Sequence, residues 1–265
     1  MSTKVAVAII HGIGTANPKF AEENDPEMFT SGMAKKLKYR FSTLVGEKPE
    51  DADSKLAIKA VYWALVLQDL QDKLYRDLRI DRLNDFWGLR YFVFHSLADS
   101  IGYQITSSAP NSERDIYDGV HKCFAATLAE LAQPDNAGSK APLCIIGHSL
   151  GSVIASNYIW DLQKKKAKIE IGSTPLEQGE TLTLFYTFGS QIALWGLRHN
   201  DFGTPIKLPP PQLSQHYPNL GSEWLNFYDR DDVLGYPLKA MNEQYRDVVT
   251  STLAISSNRA QKGIG

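Results

Sequence analysis

Cysteine is nearly absent from this chain. Only Cys123 and Cys144 occur in 265 residues, too few for a disulfide framework. Both fall in apolar patterns and read as buried thiols, which favours a reducing, cytoplasmic setting. The six histidines, at 11, 95, 121, 148, 199 and 216, are scattered, and no Cys/His spacing fits zinc, so no metal is expected. No stretch approaches the roughly 20 apolar residues of a membrane span, which argues against stable membrane insertion. A formal net charge of −2 gives no general pull toward nucleic acid or anionic lipid. The apolar run in MSTKVAVAIIHGIG ends in a glycine-rich turn and not at a small-residue cleavage site, which argues against a signal peptide. That turn also lacks the G-x-G-x-x-G and P-loop lysine patterns, so no nucleotide and no other cofactor is expected.

What is present is an ordinary globular composition, 43% hydrophobic and 22% charged, with one stretch that organises the rest. Leu143-Cys144-Ile145-Ile146 is an apolar run that enters Gly147-His148-Ser149-Leu150-Gly151, and a helical pattern follows at once. This is G-x-S-x-G between a strand and a helix, a turn sharp enough to push a serine hydroxyl above the end of a sheet. The glycines are needed where a side chain would meet crowded backbone.

Val5 to Ile10, Leu56 to Leu65, Leu182 to Phe188 and Trp224 to Tyr228 read as further strands. Helical patterns start at Pro26 and span Ser112 to Ala132, and Asn242 to Thr252 reads as helix or loop. Strands separated by helices argue one domain over 1–265, with a mostly parallel central sheet and helices on both faces. Two stretches stand out as cap or lid segments. Residues 66–110 contain a charged, helix-like stretch with Leu70, Leu74 and Leu78, then the aromatic group Trp87, Tyr91, Phe92, Phe94 and Tyr103. These rings read first as packed helix undersides and second as an acyl pocket. Residues 196–222 are proline-rich and irregular.

Sites in such sheets lie at the carboxyl ends of the strands. There fall His11-Gly12-Ile13-Gly14, Ser149, Gly189-Ser190 and Asp229 to Asp232. A serine nucleophile needs a base, and the oxyanion formed on attack needs preorganised donors. The N–H of Leu150 is one expected donor and that of Ile13, in the glycine-rich loop, the other. His11 is expected to brace that loop with Gly12 and Gly14. Asp232, which precedes Val233-Leu234, is the favoured acid, ahead of Asp231 and Asp229. No histidine lies after His216, although the order Ser, acid, His calls for one. Three accounts follow: the functional chain extends past residue 265, His199 or His216 serves from the long loop, or the triad is incomplete. The side chain of His148 is expected to point away from Ser149.

The segments His11–Gly14, Gly147–Gly151, Thr187-Phe188-Gly189-Ser190 and Asp231-Asp232-Val233-Leu234 resemble the α/β-hydrolase superfamily, and within it the lipase-like serine esterases. The TFGS segment is similar to the TFGxP stretch of the fungal-type lipases. The acidic segment is similar to their D-x-V stretch, which makes Asp231 a rival to Asp232. The resemblance implies an α/β-hydrolase fold with a helical cap insert and Ser149 as nucleophile. The expected function is cleavage of a lipid or small acyl ester, a thioester being equally compatible. The second reading, prompted by the missing histidine, is a catalytically incomplete scaffold that binds a ligand or partner protein.

Overall fold

The computed structural model describes residues 4–12, 29–79, 98–104 and 111–255. Expectations for Ile13, Gly14, the helix start at Pro26, most of the aromatic insert, His95 and the polar tail lie outside these residues. Six parallel strands form one sheet: β1 (Val5–Ile10), β2 (Leu56–Val61), β3 (Leu143–His148), β4 (Leu182–Phe188), β5 (Glu223–Asp229) and β6 (Ser251–Ile255). Their order is β2-β1-β3-β4-β5-β6. The helices that position the site and the core are α1 (Phe29–Val45), α2 (Leu65–Asp77), α3 (Asn111–Leu131), α4 (Leu150–Lys164), α5 (Ile192–Gly196), α6 (Leu213–His216) and α7 (Glu243–Val248).

The strands alternate as a two-faced sheet requires. Ala6, Ala8 and Ile10 of β1, with Leu143 and Ile145 of β3, Phe185 of β4 and Trp224 of β5, point to one face. There they meet Val120, Phe124 and Leu128 of α3 and Ile154 and Tyr158 of α4. Val7, Ile9, Cys144 and Ile146 point to the other, where Met33 and Leu37 of α1 pack. Burial pushes the pKa of the Cys144 thiol up to about 12, and that of Cys123 on α3 upward as well.

Two local readings need correction, the end of the second strand and the stretch 242–252. The second strand stops at Val61, and Leu65 opens α2 instead of closing the strand. The charged stretch is helical as expected: in α2 the buried residues are Leu67 and Gln71, while Leu70, Leu74 and the C-capping Leu78 are about half exposed. The stretch 242–252 holds both α7, capped by Asn242 Oδ1 accepting from the Tyr245 N–H at 3.0 Å, and the start of β6. This sixth strand pairs Ile255 with Asp229, so β5 and β6 end side by side.

The topology points to a place. The chain goes from β1 outward to β2, then returns to the opposite side of β1 to lay down β3. Helices leave in opposite directions from such a reversal and open a crevice at the carboxyl ends of β1 and β3. Gly12 follows the end of β1 there, and Ser149 follows the end of β3.

Candidate active site

Ser149 adopts φ 52°, ψ −126°, a backbone conformation that residues with a Cβ rarely take. Such strain costs on the order of 1–3 kcal/mol and persists only where neighbours over-determine it. Here they do. The Ser149 N–H donates to Phe188 O at 2.9 Å, carrying the β3–β4 ladder through the turn. Ser152 Oγ donates to Ser149 O at 2.6 Å and lies 2.8 Å from Ser190 Oγ. Both glycines are sterically required. A Cβ on Gly147 would lie 2.7 Å from Ser152 Cα, and one on Gly151 would collide with His11 O and lie 2.8 Å from Ile10 O.

Gly12 brings the loop after β1 against the serine. A Cβ there would sit 2.5 Å from Ser149 Cβ and 3.2 Å from His148 Nδ1. His11 is fixed beside it: its ring stacks on Trp63 at 5.0 Å, Nδ1 lies 2.8 Å from Gly12 O, and Trp63 Nε1 donates to His11 O at 3.1 Å. Burial lowers the His11 pKa to about 4 against a smaller opposing effect of Gly12 O, so the ring is neutral at pH 7. Leu150 opens α4, and first-turn N–H groups have no acceptor within their own helix. It is fully buried on its side-chain side.

The acid side is built from β4 and β5. Gly189, at φ +52°, continues β4 and donates its N–H to Phe227 O at 2.9 Å. A Cβ on Gly189 would lie 2.8 Å from Asp232 Oδ2 and 3.9 Å from His148 Nε2, so the carboxylate and this imidazole meet over one glycine. Gly235 closes on the other side of Asp232 Oδ2, where a Cβ would be 2.6 Å away. Asp232 Oδ1 accepts from the Leu234 N–H at 2.9 Å. Deeper down, buried Asn226 Oδ1 accepts from the Leu238 N–H at 3.1 Å and pins the segment that follows. Asp231 is exposed, its N–H donating to Asp229 Oδ1 at 3.1 Å. The geometry therefore turns Asp232, and not Asp231, inward. His148 reaches solvent at the rim, yet crowding still lowers its pKa by burial, partly offset by the Asp232 carboxylate.

Ser149 Oγ accepts a hydrogen bond from Gln191 Nε2 at 3.0 Å. Gln191 is buried, one residue beyond the TFGS segment, and sequence reasoning missed it. The only signal was its place, an amide directly after a strand end that already held Gly189 and Ser190. Among the described residues no imidazole is bonded to Ser149 Oγ. His216 Nε2 lies 2.8 Å from Glu180 Oε2, just ahead of β4 at the amino edge of the sheet. Seven strand residues, roughly 20 Å, separate that edge from the serine, which removes His216 as the base. His121 is buried between α3 and α4, with Nε2 2.9 Å from Tyr103 Oη and Nδ1 3.7 Å from Asp161 Oδ2. His199 lines a separate cavity.

As an arrangement of groups, a strained serine sits between a helix-start amide and an inward carboxylate, held by a carboxamide. No His/Cys/Asp/Glu group among the described residues could hold a metal ion, and no described helix is long and apolar enough to cross a membrane. Compared with known proteins, the chain matches no family model, no curated protein and no solved structure.

Proposed function

We propose that the chain is a serine hydrolase of the α/β-hydrolase type that cleaves a carboxylic ester through an acyl-enzyme on Ser149. One observation carries this reading: the φ +52° serine at the carboxyl end of β3, with Leu150 starting a helix beside it and Asp232 turned inward from β5. Strain of that kind on a serine is worth its cost where the hydroxyl must be presented to a reactant. Ser149 Oγ attacks the ester carbonyl carbon and passes its proton to a base. Negative charge collects on the carbonyl oxygen, within reach of the Leu150 N–H. The alcohol then leaves with a proton. Water adds to the acyl-enzyme, the carboxylic acid departs, and the proton returns to Ser149. A cleft of about 320 Å³ between α5 and residues 236–241, walled by Leu194, Leu197, Phe202, Tyr236 and Met241, offers apolar surface for an acyl group.

The second reading, a scaffold that binds without turnover, is favoured by one contact. Among the described residues, Ser149 Oγ is engaged by the Gln191 amide and not by an imidazole. A fluorophosphonate probe with added free imidazole separates the two. The hydrolase reading expects labelling of Ser149 that imidazole accelerates and Ser149→Ala abolishes. Folded protein that stays unlabelled with imidazole present overturns it in favour of the scaffold.

A further inference from the structure

Ser149 Oγ is held by a single contact. Gln191 Nε2 donates to it at 3.0 Å, and among the described residues this oxygen has no other hydrogen bond. Main-chain and hydroxyl hydrogen bonds place the amide. Gln191 stands at the head of α5, where its carbonyl accepts from the Trp195 N–H at 3.0 Å. Next to it, Ser190 Oγ lies 2.8 Å from Ser152 Oγ and accepts from the Ile192 N–H at 3.3 Å. Ser152 Oγ in turn donates to Ser149 O at 2.6 Å. One run of hydrogen bonds thus ties the strained turn to the residue whose side chain reaches its hydroxyl. Gln191 is 4% exposed and Ser149 8%, so bulk water does little to screen their contact.

A carboxamide nitrogen donates and does not accept. Gln191 Nε2 therefore cannot take the serine proton, and it is no substitute for a base. It points instead at the oxygen that gains negative charge as that proton leaves. A hydrogen bond to a charged acceptor is roughly twice as strong as one to a neutral hydroxyl. The added strength exists only while charge builds, which is the kind of stabilisation that accelerates a reaction. The same oxygen is the leaving group when an acyl-enzyme breaks down, and the same donor meets it there.

We infer that Gln191 is a catalytic residue that stabilises negative charge on Ser149 Oγ, in attack on the ester and again in hydrolysis of the acyl-enzyme. The inference rests on the hydrolase reading. In the first step the Oγ–H bond breaks, the proton passes to a base, and Oγ bonds to the carbonyl carbon. The carbonyl π pair moves to its oxygen, then returns as the alcohol leaves with a proton. In the second step the water oxygen bonds to the same carbon, the C–Oγ bond breaks, and its electron pair stays on Oγ, which regains a proton. Gln191 forms and breaks no covalent bond in either step.

The test on the whole chain replaces the hydroxyl by a group that titrates. Ser149→Cys puts a thiol at the same point, and its thiolate is followed by ultraviolet absorbance as pH rises. The native thiols stay out of the way, because burial raises the pKa of Cys144 to about 12 and that of Cys123 as well. Adding Gln191→Met, which keeps the length and removes the donor, should raise the pKa of the introduced thiol by about one unit, or tenfold less thiolate below both values. Gln191→Glu, the isostere with an oxygen in place of the donor, should raise it further. A thiol that neither folded variant moves overturns the inference. With Ser149 in place, Gln191→Met should slow fluorophosphonate labelling in added imidazole about tenfold and displace its pH profile upward. An unchanged rate and profile also overturn the inference. Labelling of the parent with an unmoved thiol sinks the role of Gln191 and leaves the hydrolase. A thiol that responds in a protein whose Ser149 never labels sinks the hydrolase, and the catalytic role falls with it.

Discussion

His121 and His148 each stand near an aspartate, in opposite surroundings. His121 lies between α3 and α4, 2% exposed, with Tyr103 on Nε2, Asp161 near Nδ1, and the Tyr117 and Tyr158 rings 4.0 and 5.4 Å away. His148 ends β3 at the rim, between Gly12 and the Gly189–Asp232 contact. The interior imidazole is held by groups that leave it no route to solvent, so its work is cohesion. The rim pair has access and sits beside strained backbone. An imidazole near a carboxylate is therefore not a functional signature in itself. The neighbouring backbone and the route to solvent decide between structure and chemistry.

That contrast can be broken most directly at Gly151. The rim geometry rests on this glycine touching the backbone of β1, so Gly151→Ala should cost roughly 3 kcal/mol or more in urea denaturation, or prevent folding. A loss below about 1 kcal/mol would show that the turn is not held as described.

Acid comes next. His11 has its pKa lowered to about 4 from an ordinary 6.5, so below pH 6.5 the unfolded chain binds a proton that the folded one refuses. The contribution is complete above pH 6.5 and is lost as pH falls toward 4. Over that window the loss should reach about 2–3 kcal/mol, read as a falling urea midpoint. His11→Phe, which keeps the stack on Trp63, should flatten this slope.

His121→Leu tests the interior side. It takes the ring from Tyr103 Oη and should cost about 1–3 kcal/mol, while Ser149 labelling per folded molecule stays at the parent value. A change in labelling would erase the division between the two regions. The smallest effect is expected at the rim carboxylates. Asp232→Asn keeps an acceptor for the Leu234 N–H and should change stability by less than about 1 kcal/mol. It should nonetheless lower the His148 pKa further in an NMR titration, because the carboxylate is what raises it. Asp231→Asn, exposed and turned away, should move neither quantity.

Much of this frame was legible before any coordinates. The five strands that lead the chain were readable because buried parallel strands are unbroken apolar runs. The Ser149 turn was readable because two glycines flank it at fixed spacing. The rest depended on geometry that spacing does not encode. β6 is a short edge strand in which Ser251 and Thr252 precede only Leu253, Ala254 and Ile255, so its pattern is weak. Choosing between Asp231 and Asp232 required the turn that folds one carboxylate over Gly189 and leaves the other in water. Gln191 carries no pattern at all, and only the fold brings it across 42 residues to Ser149 Oγ.

The two thiols have a practical corollary. With the pKa of Cys144 near 12 and that of Cys123 also raised, neither holds much thiolate at neutral pH. Alkylating agents, oxidants and disulfide exchange should therefore find this molecule a poor target without reductant in the buffer. Any electrophile that marks it rapidly at pH 7 is reporting on oxygen or nitrogen chemistry, not on sulfur.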